Sequence, residues 1–191
     1  MSHPSLRRLA PAFVLALALP AFAADTFQID PVHSETGFQI RHVVTKVRGR
    51  FAKFSGTILY DQANPAKSSV DVTIDAASIT TENDTRDKDL RGEKFFDVAK
   101  YPTLTFKSTS VKPTGKDQLE VTGTFTLHGV TKTITIPVKA LGVAPGMAPN
   151  TTVAGFEGGL TIKRSDYGMA TYVPVVGDEV EISLNVEALK Q

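Results

Sequence analysis

Beyond the first 23 residues the chain carries three histidines: His33, His42 and His128. Imidazole is the commonest metal ligand and the usual general acid or base near neutral pH. A three-histidine metal centre needs the rings to converge, and the spacing does not ask for it. His33 and His42 lie nine residues apart, an odd interval that sets them on opposite faces of one continuous strand. His128 sits in Leu127-His128-Gly129-Val130, which reads as a hairpin turn. Structural histidines are therefore expected, and no metal. Asp30, His33 and Ser34 supply the three residue types of a hydrolytic triad within five positions. A triad is defined by spatial roles, and no strained nucleophile elbow surrounds Ser34. No catalytic residue is assigned. The alternative kept open is an enzyme acting on a lipid, with Asp30, His33 or His128 as acid or base. With no cysteine, a thiol nucleophile, a Cys-ligated metal and any disulfide are excluded. No P-loop and no dinucleotide fingerprint is present, so no cofactor is expected.

Two residue groups point to binding. Arg41, Lys46, Arg48, Arg50 and Lys53 form a basic cluster that either solvates a strand face or attracts an anionic head group such as a phosphate. Arg48, Arg50 and Arg86 are the head-group candidates. Phenylalanine outnumbers tyrosine 11 to 4, and tryptophan is absent. Most of these rings are core, but those facing a lumen could contact an apolar chain. The lining expected for such a lumen is Phe38, Ile40, Phe54, Ile58, Phe96, Phe106, Phe125 and Phe156. A net charge of +1 on 191 residues gives no electrostatic footprint for nucleic acid.

The elements that must position these residues are strands. Val70, Val72 and Ile74 alternate with Asp71, Thr73 and Asp75. Regular alternation recurs at 119–127, 130–138 and 179–188, with less regular candidates at 36–43, 50–60, 103–111 and 152–163. That makes about eight mostly antiparallel strands, each with one apolar and one polar face. Between Val47 and Tyr60 the apolar set changes phase, which requires a bulge or bend. One short helix is expected over 85–91, with Asp84 as N-cap and Gly92 just past its end. The segment from 77 to 102 is too long for a hairpin and reads as a lid or plug. Strands in this number suit a sandwich or an eight-stranded barrel, whose lumen fits packed side chains or one slender ligand. A membrane barrel would carry aromatic girdles, which four tyrosines and no tryptophan cannot supply.

The N-terminus reads separately. Arg7 and Arg8 precede an apolar run from Leu9 to Leu19, and Ala21-Phe22-Ala23 fits a cleavage site. Residues 1–23 are therefore expected to be a signal peptide and 24–191 one exported domain. Losing Arg7 and Arg8 lowers the net charge by two, to −1. The run is shorter than the roughly 20 residues a bilayer span needs, and the mature chain has no transmembrane segment.

Several blocks together resemble the YceI family of exported polyisoprenoid-binding proteins. They are Ile29-Asp30-Pro31-Val32-His33-Ser34, Val47-Arg48-Gly49-Arg50-Phe51 and Leu127-His128-Gly129-Val130-Thr131-Lys132. The most specific runs from Arg86-Asp87-Lys88-Asp89-Leu90-Arg91 through Phe95-Phe96-Asp97-Val98 to Lys100-Tyr101-Pro102, and the last is Arg164-Ser165-Asp166-Tyr167-Gly168-Met169. The resemblance implies an all-β, eight-stranded, lipocalin-like antiparallel barrel with a short helix and lid around 84–102. It implies a periplasmic, non-enzymatic protein whose apolar pore holds a polyisoprenoid or other long-chain amphiphile. A homodimer is allowed; a ligand-free stress-response or interaction module is the remaining alternative. Burying roughly 400 Å² of ligand would give on the order of 10 kcal/mol gross, before association costs. Such a function needs shape and apolarity rather than a polar motif.

Overall fold

A computed structural model describes residues 24–191, and the expected signal peptide lies outside the described residues. The strands are β1 (Asp25–Ile29), β2 (Glu35–His42), β3 (Thr45–Phe51), β4 (Phe54–Tyr60), β5 (Ser69–Asp75) and β6 (Ile79–Thr80). After helix α1 (Asp84–Arg91) come β7 (Thr103–Gly115), β8 (Gln118–Leu127), β9 (Val130–Pro145), β10 (Thr152–Lys163) and β11 (Val176–Lys190). All belong to one antiparallel sheet, which closes where β1 pairs with β11.

Eleven strands make an eight-staved barrel because two staves are bent, each built of two strands, and the two-residue β6 only edges β3. β1 and β2 form one stave, interrupted at 30–34; β3 and β4 form the next, interrupted at Ala52 and Lys53. The two pair as a single kinked hairpin, β1 with β4 and β2 with β3. On β3 the inward residues are Val47, Gly49 and Phe51; on β4 they are Phe54, Ile58 and Tyr60. The expected change of phase is real, and it falls at Ala52-Lys53. Its neighbour changes phase at the same height, from Phe27 and Ile29 to Thr36, Phe38 and Ile40. Adjacent staves that turn together keep both apolar faces inside. β1 was not among the expected strands, since five residues with three polar ones carry little period.

Gly49 is required by the ring opposite it. It pairs with Phe38, and a Cβ there would stand 2.4 Å from Phe38 Cζ. At the β8–β9 hairpin His128 and Gly129 have φ of 51° and 74°, the left-handed pair of a two-residue turn. The core runs along the barrel axis, from Phe27, Ala154 and Ala188 to Ile79 and Tyr167.

One stretch of wall is missing. The free edge of β3 pairs with β6 only at Arg50 and Phe51, while β7 pairs with β5 only as far as Thr103. The segment from Ala76 to Pro102, with α1 at its centre, fills this end. The helix N-cap is Asn83, one residue before the expected Asp84: its side chain accepts the Arg86 N–H at 3.0 Å from an extended backbone. Asp84 instead begins the helix, where its carboxylate faces the positive end of the dipole. Among the described residues, no helix is long and apolar enough to cross a membrane.

The candidate lipid chamber

The barrel holds two adjoining cavities. The outer one, about 390 Å³, lies beneath the α1 segment; the inner one, about 200 Å³, lies deeper in the barrel. They share Phe38, Phe51, Leu104, Phe125 and Ile182, which form a neck. Phe51 sits at its centre, with ring centroids 6.0 Å from Phe38 and 5.7 Å from Phe96. Together the cavities fall in the size range of small-molecule sites. The inner chamber is walled by aliphatic and aromatic side chains such as Ile58, Val72, Phe106, Ile136 and Leu160, with Tyr60 and Phe156 edge to face at 5.2 Å.

The eight expected lining residues all face these chambers. Phe38 and Phe125 stand in the neck; Ile40 and Phe96 line the outer chamber; Phe54, Ile58, Phe106 and Phe156 line the inner one. The three arginines divide. Arg86 lines the outer chamber, whereas Arg48 and Arg50 are exposed and line neither. They alternate with the inward Val47, Gly49 and Phe51, so strand geometry turns them outward. Lys46 pairs with Glu181 at 2.6 Å, and Arg41 binds the carbonyls of Val43 and Pro174.

The roof is fastened by arginines. Arg86 Nε donates to Thr81 Oγ1 at 2.7 Å and its Nη2 to the Thr81 carbonyl at 2.9 Å. The Thr81 hydroxyl in turn donates to buried Asp87, which also accepts the Thr81 N–H at 2.8 Å. Burial pushes the Asp87 carboxyl up, but these bonds outweigh it and hold the group below its ordinary value. Arg91 ties the other end of α1 to the carbonyls of Ala77 and Ile79. Opposite the helix, buried Arg164 donates to the carbonyls of Gly177, Met169, Thr171 and Val176, gathering the 165–176 loop around one guanidinium. Burial lowers its pKa, and the charge of Asp178 opposes that shift. Arg164 and Tyr172 line the outer chamber but were not singled out from sequence. Arg164 stands in the Arg-Ser-Asp-Tyr-Gly-Met block, and that was its only signal.

The histidines do not converge. His33 Nδ1 lies 2.7 Å from Asp30 Oδ2 and 3.8 Å from Glu187 Oε1 at the bend between β1 and β2. His42 lines the outer chamber, and His128 Nδ1 lies 3.0 Å from the Tyr167 carbonyl. The hydroxyl of Ser34 donates to the Glu187 carbonyl at 3.0 Å and accepts the Glu187 N–H at 2.9 Å. It replaces a rung of the sheet across the bend, so its lone pairs and proton serve the backbone. Asp30, His33 and Ser34 line neither chamber.

The YceI-like domain model matches residues 27–188, nearly the whole barrel. The chain belongs to the YceI-like family. A UPF0312 protein of Pseudomonas aeruginosa is 40% identical over 195 aligned positions, covering all of both chains. Protein YceI of Escherichia coli is 40% identical over 191, covering 98% of each. BcnA of Burkholderia cenocepacia superimposes with a TM-score of 0.74 at 30% identity, over 83% of this chain and 98% of that one. A polyisoprenoid binding domain from Saccharophagus degradans matches with a TM-score of 0.66 at 18% identity, over 88% and 99%. That last likeness establishes the fold alone. It places this YceI-like chain among eight-stranded antiparallel barrels with one short helix.

Proposed function

We propose that the protein binds a polyisoprenoid or other long-chain amphiphile inside the barrel, as an exported periplasmic carrier or sequestering protein rather than an enzyme. The observation that carries this reading is the pair of adjoining chambers with opposite character. The inner one offers an apolar chain a wall that is almost entirely hydrocarbon, with Thr36, Ser68, Ser69 and Glu157 as the few polar residues that border it. The outer one adds Arg86, Asn83, Asp89 and His42 at its edge. An amphiphile then lies with its chain through the Phe38–Phe51 neck and its polar end beneath α1, where Arg86 faces it. Family membership and the polyisoprenoid-binding neighbour support the lipid class. The basic–apolar–small-residue layout of residues 1–23 supports export. The commitment of Ser34 to the backbone of Glu187 supports binding over hydrolysis.

Uptake tests the reading. Delipidated protein is mixed with octaprenol in detergent, and bound lipid is measured after gel filtration. The expected result is near-stoichiometric retention; a barrel that retains no octaprenol or other long-chain lipid contradicts it.

A further inference from the structure

Of the nine exposed large apolar side chains among the described residues, five (Val43, Val44, Tyr172, Val173 and Val175) lie at one place, while Val32, Leu59, Leu141 and Met147 are scattered over other segments. Val44 is 91% exposed, Val175 59%, Tyr172 58% and Val43 52%. They come from two loops, the β2–β3 turn and the 170–175 segment, joined by a hydrogen bond of 3.1 Å from Val43 N to the Val175 carbonyl. Arg41 fastens the same two loops through the carbonyls of Val43 and Pro174. Tyr172, at once exposed and part of the outer chamber's lining, puts this ridge on the chamber's mouth. Val43 and Tyr172 hold φ of 53° and 63°. A β-branched residue such as valine or a bulky one such as tyrosine rarely adopts that conformation, and glycine or asparagine would relieve it. Stretch 41–50 carries no acidic residue; of its four cations Lys46 is paired with Glu181 and Arg41 holds loop carbonyls, which leaves exposed Arg48 and Arg50 to meet an anionic surface, while 170–176 is uncharged.

We propose that this ridge docks the barrel on a bilayer containing anionic phospholipid, with the mouth of the outer chamber against the membrane. The inference rests on the lipid-binding reading and adds the route: an apolar ligand passes between bilayer and barrel without crossing water. Valines and a tyrosine enter the head-group boundary while flanking cations meet lipid phosphates. The feature that sequence offered as a head-group site on the ligand, Arg48 and Arg50 outside the barrel, thereby faces a bilayer instead.

Flotation with vesicles of phosphatidylethanolamine and phosphatidylglycerol tests it. Wild type is expected to float with them, less so at high salt or with phosphatidylcholine alone. Val44→Asp combined with Val175→Asp should reduce flotation roughly tenfold or more. Val32→Asp with Leu141→Asp, exposed apolar sites away from the mouth, should leave it unchanged. Both pairs are solvent-exposed, and unchanged melting confirms that they fold. Absence of wild-type flotation, or equal flotation of both double variants, overturns the docking. So does a wild-type dimer that the mouth variant alone makes monomeric, since a second copy then covers the ridge. Octaprenol uptake from detergent separates the two claims. If the mouth variant takes it up normally, membrane results bear on docking alone; if no protein takes it up, the lipid-binding reading itself fails.

Discussion

Arg164 holds four backbone carbonyls with one guanidinium, and no carboxylate touches it. Arg164→Met would leave those carbonyls without donors at a buried site. Stability should fall by about 2–4 kcal/mol, a drop in Tm of roughly 5–15 °C. Arg164→Lys should rescue little, because an ammonium cannot reach carbonyls fanned around a plane. Unchanged melting of either variant would refute this account of the loop. His33 makes a second prediction, from its bond to Asp30. That bond raises the His33 pKa and lowers that of Asp30. The histidine's contribution is complete below its ordinary value of about 6.5 and is lost as pH rises through the raised value. The aspartate's is present above its ordinary value and lost as pH falls through the lowered one. NMR titration should place His33 above 6.5, and Asp30→Asn should return it toward 6.5; a wild-type midpoint at or below 6.5 contradicts the pairing. At this scale the sequence was readable where side chains follow strand alternation, as seven of the eight lining residues do; Phe96, the eighth, lies in the turn after α1. It was opaque where a side chain serves distant backbone, as Arg164 and Ser34 do, because residue type alone cannot reveal such partners.

Helix α1 is short, and the α-helix alone would be marginal in water. It stands because Asn83 caps it, Arg86 and Arg91 fasten it, and Leu90 and Phe96 pack on the core. Asn83→Ala should cost about 1 kcal/mol. Since α1 roofs the outer chamber, the same change should speed release of a bound lipid more than it alters the barrel's melting. Release measured by transfer to acceptor vesicles checks this; an unchanged off-rate would mean that the ligand leaves by another path. The helix, its C-terminal glycine and the change of phase before Tyr60 were legible from local pattern. The bent stave made by β1 and β2 was not, because its two halves are joined through pairing with β11 rather than by any shared period. The outward turn of Arg48 and Arg50 follows from alternation and could have been read from Val47, Gly49 and Phe51. The pull of charge toward a head group masked it.

For the whole molecule, closure of eight staves and a gap filled by α1 yield a chamber that opens beside a helix rather than through a bare barrel end. Stability and function then share one interior. A ligand that binds only the folded barrel must raise its melting temperature with concentration. Delipidated protein should therefore melt below the loaded form, by several degrees at saturating octaprenol. The closed barrel and its family were legible in sequence. The division into two chambers was not, since the neck depends on how the rings of Phe38, Phe51 and Phe96 meet.

The measurement that bears most directly on a lipid-holding lumen is mass spectrometry of an organic extract from purified protein, comparing wild type with Val72→Phe combined with Leu160→Trp. Both substitutions fill the inner chamber from its own wall. The account predicts a long-chain isoprenoid or similar amphiphile in the wild-type extract and its loss from the filled variant, with the barrel still folded. Equal lipid in both extracts, or none in wild type even after exposure to octaprenol, would contradict it.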